Sequence, residues 1–148
     1  MKLKLFFSLA ILSLFCNTMN AQSNSELAIT NQDQLIKLCL EFTPLQDKIP
    51  NEIKELATEN YIYQNGNDYY YSANLQANGK GISLLSKSSL SSSKPYFDFF
   101  TLNIEASKAL ARIYFVYSKD GVQTSIPVTI ELEKNGSSWQ VTNHYFNF

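Results

Sequence analysis

The residues of this sequence best suited to chemistry lie near its carboxyl end, where the only histidine, His144, follows the only tryptophan, Trp139. A histidine can act as a general base or bind a metal ion, but both tasks need partner side chains at suitable spacing. The sequence places no Cys, Asp or second His where it could share a metal with His144, and it contains no nucleophile motif. We therefore expect no catalytic residue, no metal and no other cofactor, and interpret His144 as a surface or interface residue.

The element that must position these residues is a predicted meander of four antiparallel strands. Apolar residues alternate with polar ones with a period of two, and Asp120-Gly121 and Asn135-Gly136 are turn-forming pairs. If Lys119 lies opposite Val122, the first hairpin has the pairs Phe115–Ile126, Ile113–Val128, Ala111–Ile130 and Ala109–Leu132. The second turn predicts the pairs Leu132–Trp139, Ile130–Val141, Val128–Asn143 and Ile126–Tyr145. An upstream turn near Ser107-Lys108 predicts the pairs Ile104–Ala111, Leu102–Ile113 and Phe100–Phe115.

This register places the apolar residues of all four strands on one face, because residues directly opposite each other share a face. Trp139 then becomes an anchor of the core. Asn143 would bring a polar amide into the apolar face, and such an amide needs hydrogen-bond partners, water or an opening. We therefore predict the mouth of a ligand-binding cavity lined by Asn143, Tyr117, Tyr145 and Thr124. Proximity to the edge of the sheet is the alternative explanation for Asn143.

The opposite face of the meander is a solvated surface or a docking surface for a partner. Its candidate partner-binding residues are Arg112, Tyr114 and His144, which are residue types enriched at interfaces. The segment "YIYQNGNDYYYSANL" predicts a hairpin about Asn65-Gly66, which is interpreted as a half-buried strand pair, with an exposed tyrosine surface for sugars or peptides as the alternative.

Two helices are expected before the strands. Residues 31–42 have apolar residues spaced for one helix face, with Asn31 as its N-cap and Pro44 ending it. Cys39 falls on that apolar face and is expected to be buried rather than reactive. Residues 49–60 predict a second, short helix. The segment 76–95, which is rich in serine between Ser83 and Ser93, is predicted to be a short strand followed by a mobile loop.

The amino terminus predicts an exported protein, periplasmic or secreted. "MKLK" followed by "LFFSLAILSLF" is typical of a signal peptide, which we expect to span residues 1–21 and to leave a single α+β domain at 22–148. Attachment of a lipid at Cys16 is a rival interpretation. Cleavage would remove two of the 12 Lys and Arg and none of the 13 Asp and Glu, which changes the net charge from −1 to −3. With Arg112 as the only arginine, we expect no binding to nucleic acid.

Two helices followed by a curved antiparallel sheet ending in "YSKDGVQTSIPVTIELEKNGSSWQV" resemble the nuclear transport factor 2-like superfamily, which has a cystatin-like cone. The resemblance covers residues 109–141. It implies a cone-like α+β fold, a cavity within the cone and a homodimer as one assembly state. Enzymes of that superfamily carry an Asp with a His or a Tyr in the cavity. The sole histidine of this sequence is predicted on the other face, so the resemblance carries the fold and not the chemistry.

Three functions remain open from the sequence. The first is an exported, non-catalytic binding module for a small molecule in the cone. The second is a protein-binding domain, of the inhibitor or immunity type, that uses the outer sheet face. The third is a small enzyme with tyrosine-based acid chemistry in the cavity.

Overall fold

The computed structural model describes residues 28–63, 65–66, 71–90 and 94–146. The predicted signal peptide, 1–21, and the alternative lipid site at Cys16 lie outside these residues. Within the described part, three helices come first and seven strands follow. The helices are α1 (28–40), α2 (Thr43–Gln46) and α3 (Asn51–Leu56). The strands are β1 (Asn60–Tyr63), β2 (Gln76–Ala77), β3 (Lys80–Leu85), β4 (Tyr96–Glu105), β5 (Lys108–Lys119), β6 (Val122–Asn135) and β7 (Ser138–Tyr145), with a 3₁₀ helix at Lys87–Ser89.

The strands form one curled, mixed sheet in the order β2-β3-β1-β4-β5-β6-β7. β1 lies parallel to both β3 and β4, and the other neighbours are antiparallel. The predicted α+β class is confirmed, whereas the sheet is larger than expected and is not wholly antiparallel. Asn65 and Gly66, the predicted hairpin turn, both have positive φ, 37° and 78°, but most of the second strand of that hairpin lies outside the described residues. In the described sheet, β1 lies between β3 and β4.

The helices pack on one face of the sheet, which we call the inner face. Leu35 and Cys39 of α1 are fully buried, as their spacing predicts. The predicted start of this helix is wrong, since Asn31 lies inside α1 and accepts a hydrogen bond from Lys134 Nζ at 2.8 Å. Pro44 stands in the first turn of α2, where a missing N–H removes no helical hydrogen bond. The short helix near residue 50 is present as α3, so the described helices number three instead of two.

The predicted register of the β5–β6 hairpin is confirmed. Lys119 lies opposite Val122, and the pairing continues without a shift to Lys108 and Glu133. Asp120 and Gly121 both have positive φ, 53° and 78°. A two-residue turn of the mirror-image type requires this conformation at both positions. The inner-face residues of this hairpin belong to the core, which contains Ala111, Ile113, Val128 and Ile130 among others.

The predicted register of β4 against β5 is wrong by two residues. The chain turns at Ala106-Ser107, so Glu105 pairs with Lys108 and Ile104 faces Ala109. A bulge then inserts Phe100 between Phe99 and Thr101, and this extra residue is 54% exposed. Because one extra residue exchanges the two faces of a strand, the core receives the residues Phe97 and Phe99 from the first half of β4.

The register of β7 against β6 also differs from the prediction. Asn135 pairs with Ser138, so Leu132 lies opposite Val141 instead of Trp139. Trp139 is nevertheless buried on the inner face, as predicted. A second bulge follows, since the partner of Glu131 is Asn143 and not Thr142. All residues of β7 beyond this bulge therefore face the side opposite to the predicted one.

Pro127 fits within β6 without a bulge. Residues that flank a two-residue hairpin turn exchange both hydrogen bonds, and bonded and non-bonded pairs alternate from there. Counting from Lys119–Val122, the pair Tyr114–Pro127 is a non-bonded pair, so the nitrogen of Pro127 points away from β5. On that side, the pairing with β7 ends at Thr129 and Tyr145, and no donor is required of Pro127.

Among the described residues, the helices are all too short or too polar to cross a membrane.

Candidate binding site

An open cavity of about 290 Å³, here called the inner cavity, lies where the helices meet the sheet. Ile49 and Ile53 contribute the helical wall, and Phe97 of β4 and Phe115 of β5 contribute the wall of the sheet. The two phenylalanine rings are tilted against each other with centroids 4.9 Å apart. All four side chains belong to the buried core, so the cavity is an opening into the core rather than a groove on the surface.

The strand pairing of the sequence explains why these walls meet. β4 lies between the parallel strand β1 and the antiparallel strand β5, which sets Phe97 opposite both Ile62 and Phe115. The helices approach from the same side because Pro50 precedes α3 in extended conformation and turns the chain back over the sheet. Ile53 is the residue of α3 that this approach buries.

The polar side chains that line the inner cavity include Gln46, Lys54, Glu59, Asn60, Asn78 and Lys80. Lys80 Nζ donates hydrogen bonds to the carbonyl oxygens of Lys54, at 2.7 Å, and Ala57, at 2.6 Å. These carbonyls lie at the carboxyl end of α3, where helical backbone acceptors have no partner within the helix. The ammonium group of Lys80 therefore caps α3 from the neighbouring sheet.

Asn60 is held in place by two hydrogen bonds. It is 7% exposed, and its Nδ2 donates to the carbonyl oxygens of Ala77, at 2.7 Å, and Lys80, at 3.2 Å. Gln46 Nε2 donates to the carbonyl oxygen of Leu40 at 2.6 Å. The polar groups of the rim thus have fixed positions before any ligand enters.

The inner cavity has the chemistry of a binding site for an apolar molecule that carries one hydrogen-bond acceptor. An ammonium group has three N–H donors, and two of those of Lys80 serve the carbonyls of α3. The remaining donor is available at the rim. The aliphatic and aromatic walls supply the apolar contact that dominates most small-molecule sites.

The inner cavity was not predicted from the sequence, because no local pattern of residues indicates it. Lys80 stands in "NGKGIS", which reads as a turn followed by a strand. Its position beside α3 depends on the parallel pairing of β1 with β3, which joins segments separated by a long connection. Phe97 is an apolar residue that alternates with polar ones, which is typical of a strand. The predicted sheet began only at Phe100 and therefore did not include it.

The structure does not bring together the four residues predicted to bind a ligand. Tyr117 lies on the inner face, half-buried, with its ring 5.8 Å from that of Phe115. Thr124 lies opposite Tyr117 and is exposed. The predicted inner-face position of Asn143 and Tyr145 is wrong, because the bulge in β7 turns both toward the outer face. There Tyr145 Oη donates to Glu131 Oε1, and Asn143 Nδ2 lies 3.4 Å from Glu131 Oε2.

The predicted partner-binding residues are separated in the same way. Arg112 and Tyr114 lie on the outer face, opposite Thr129 and Pro127 respectively. His144 is misplaced in the prediction, because it pairs with Ile130 and faces inward. The outer face therefore keeps Arg112 and Tyr114 and gains Tyr145.

Reactive groups are scarce in the described part of the chain. Burial raises the pKa of the Cys39 thiol to about 12. This thiol therefore stays protonated and unreactive. Three or more His, Cys, Asp and Glu side chains gathered as metal ligands do not occur among the described residues.

Comparison of the chain with protein-family models, with curated proteins and with solved structures finds no match. The geometry of the described residues therefore carries the functional argument.

Proposed function

We propose that this protein is a non-catalytic binding module for a small molecule with an apolar body and one hydrogen-bond acceptor, held in the inner cavity. The observation that carries this proposal is the combination of an apolar opening into the core with a rim of fixed polar groups at Lys80 and Asn60. Such a combination of apolar walls and a few placed polar groups is typical of ligand sites.

The size of the inner cavity limits the ligand. Its volume is about 290 Å³. Ligand sites in proteins range upward from about 300 Å³, so this cavity lies at the small end. A single aromatic ring or a short aliphatic chain fits this space, whereas a large cofactor does not. The acceptor of the ligand would lie near Lys80 Nζ, at the rim.

We also propose an extracytoplasmic location and a nuclear transport factor 2-like architecture. The first rests on the signal-like sequence at 1–21. The second rests on the motif at 109–141 and on the curled sheet, whose inner face holds the helices and the cavity. In this interpretation the inner cavity corresponds to the cavity of the cone.

Native mass spectrometry of residues 22–148, purified from an exporting host without denaturation, tests the proposal directly. We expect a retained small mass that dissociates on collisional activation. A titration with salicylate, a fluorescent single aromatic ring with an anionic acceptor, gives a second readout through a saturable change in fluorescence. A wild-type protein that carries no small mass and shows no saturable fluorescence contradicts the proposal.

Matched variants locate the binding. Ala57→Leu adds bulk at the rim, and we expect it to weaken binding of salicylate at least tenfold. Asn143→Leu is the control, since Asn143 lies on the outer face, and we expect its affinity to equal that of the wild type. Thermal unfolding of each variant shows that the folded domain is being compared. Equal affinity of Ala57→Leu and the wild type argues against the inner cavity as the site.

A second candidate function, protein binding, has its own observation. Phe100 projects from its bulge with 54% of its surface exposed, and its ring lies edge-on to Tyr114 at 6.3 Å. Arg112 is exposed on the next strand, so an aromatic pair and a cation share the outer face. Aromatic residues and arginine are enriched at interfaces. If this surface binds a partner, Arg112→Glu abolishes capture of that partner while the unfolding transition stays unchanged.

A further inference from the structure

A second cavity, of about 280 Å³ and here called the outer cavity, lies on the sheet face that the helices leave uncovered. Its walls include Tyr96 and Asp98 of β4, Tyr114 of β5, and Gln123 and Ser125 of β6. Tyr96 and Asp98 alternate along β4 with Phe97 and Phe99, which enter the core, so the two cavities lie on opposite faces of one strand.

Asp98 is the unusual residue of the outer cavity. Its Oδ1 atom is buried, and no donor among the described residues forms a hydrogen bond with it. Burial also raises the pKa of the Asp98 carboxyl. A buried carboxylate oxygen without a partner is destabilising, and such groups are normally paired with a cation or a donor. Within the described part of the structure, Asp98 Oδ1 therefore lacks the cation or donor with which such an oxygen is normally paired.

Tyrosine residues are the neighbours of Asp98 in the sheet. The ring of Tyr96 lies edge-on to that of Tyr63, with centroids 6.2 Å apart, and Tyr63 is the neighbour of Asp98 in the β1–β4 pairing. Tyr114, opposite Asp98 on β5, contributes a third ring. Tyrosine faces attract organic cations through their quadrupole, and this attraction grows where water is excluded.

We propose that the outer cavity binds a small organic ammonium ion, with the charged nitrogen at the Asp98 carboxylate and the alkyl part against the tyrosine rings. The chemistry of the lining selects this class of ligand. A carboxylate repels anions, and a neutral molecule leaves the charge uncompensated. A divalent metal needs several oxygen ligands, and the described lining supplies one carboxylate.

The proposal is independent of the inner cavity and uses one of the residues that the sequence singled out for binding. Tyr114 was predicted to bind a partner and lines the outer cavity. Tyr114 was not predicted to lie beside Asp98, because the predicted pairing is three residues out of register there, two from the turn and one from the bulge at Phe100.

Titration of the folded domain with n-butylammonium, followed by ¹H–¹⁵N NMR, tests the proposal. We expect saturable shifts at residues 96–98 and 123–125, with a dissociation constant in the millimolar range, because the site is open to solvent. The uncharged n-butanol probes the alkyl contact alone and should shift these resonances without saturation. Potassium ions probe the charge alone and should leave them in place.

Variants test whether the Asp98 carboxylate is responsible for binding n-butylammonium. Asp98→Asn keeps the shape and removes the charge, and we expect at least a tenfold loss of affinity for n-butylammonium. Asp120→Asn removes an equal charge at the exposed β5–β6 turn and should bind as the wild type does. Absence of saturable shifts in the wild type overturns the proposal. Equal affinity in Asp98→Asn, or equal shifts with potassium ions, overturns it as well.

Discussion

The ring of His144 lies edge-on against the ring of Phe42, with centroids 4.9 Å apart and planes at 72°. Phe42 stands between α1 and α2, so this contact ties the last strand to the helical layer. Phe146 extends the contact, since its ring lies 5.8 Å from His144 and carries Lys48 Nζ 4.5 Å above its centre. The only histidine of the sequence is therefore a packing residue in this structure.

Removing the His144 ring should destabilise the domain modestly. An edge-on aromatic pair contributes about 1 kcal/mol to stability. Because His144 is exposed, we expect His144→Ala to lower the free energy of unfolding by about 0.5 kcal/mol. His144→Phe keeps the ring and should restore the wild-type free energy of unfolding in a denaturant titration. Gln140→Ala, on the exposed outer face of the same strand, is the control. Equal destabilisation by His144→Ala and His144→Phe would argue against the ring contact.

The Cys39 thiol should be inert while the domain is folded. Its raised pKa, about 12, and its complete burial keep the reactive thiolate away from solvent. We expect an aromatic disulfide reagent to leave Cys39 unmodified in buffer and to modify it fully in denaturant. Rapid modification in buffer would contradict the buried position. Cys39→Ser should lower the free energy of unfolding by roughly 1–3 kcal/mol, because the hydroxyl lacks a partner there.

Lys80 should stabilise the attachment of α3 to the sheet. Lys80→Met removes the donor to the carbonyls of Lys54 and Ala57, and we expect a loss of about 1–3 kcal/mol in the free energy of unfolding. Hydrogen exchange should locate the loss in α3. Lys87→Met, in the exposed 3₁₀ helix, removes an equal charge and should have little effect. An unchanged stability of Lys80→Met would show that water replaces the ammonium group at α3.

Asp98 should make the protein less stable as the pH rises. Its pKa is raised by burial, so the folded state holds the Asp98 proton more tightly than the unfolded state does. The free energy of unfolding therefore falls as the pH increases from the ordinary aspartate value, 3.8, through the folded-state pKa, and the loss is complete above it.

Comparison with Asp98→Asn isolates this effect, because the other carboxyl groups are common to both proteins. At pH 7 we expect the variant to be more stable by on the order of 1 kcal/mol, a low value because the carboxyl is partly exposed. The difference should shrink as the pH is lowered through the folded-state pKa of Asp98. A difference that is constant between pH 7 and pH 3.5 contradicts the prediction.

The β5–β6 hairpin was predictable because its turn signal is unambiguous. Asp120 and Gly121 both adopt positive φ, and the predicted pairs follow from that one turn. Asn135-Gly136 has a similar composition but turns differently. Gly136 is the first of its two turn residues, with φ of 62°. A glycine with positive φ at this position is the pattern of a type II′ turn. Dipeptide composition could not distinguish these turns, so the predicted register of β7 against β6 was wrong by two residues.

The bulges at Phe100 and Thr142 had no local signal. A bulge preserves the alternation of apolar residues on each side of it and exchanges the faces between them. Both halves of β7 therefore looked regular, and Asn143 was placed in the core while His144 was placed outside. The sites depended on these positions, which is why more of the fold than of the candidate sites could be predicted.

Among the residues that the structure describes, β6 continues from Thr129 back to Val122 without β7 beside it. An unpaired strand edge invites pairing with the same edge of another copy, which is how sheets grow into aggregates. Pro127 stands in this stretch with its nitrogen turned outward, where a second strand would need a donor. The proline that looked out of place in a long strand therefore protects the free edge of the sheet against self-association.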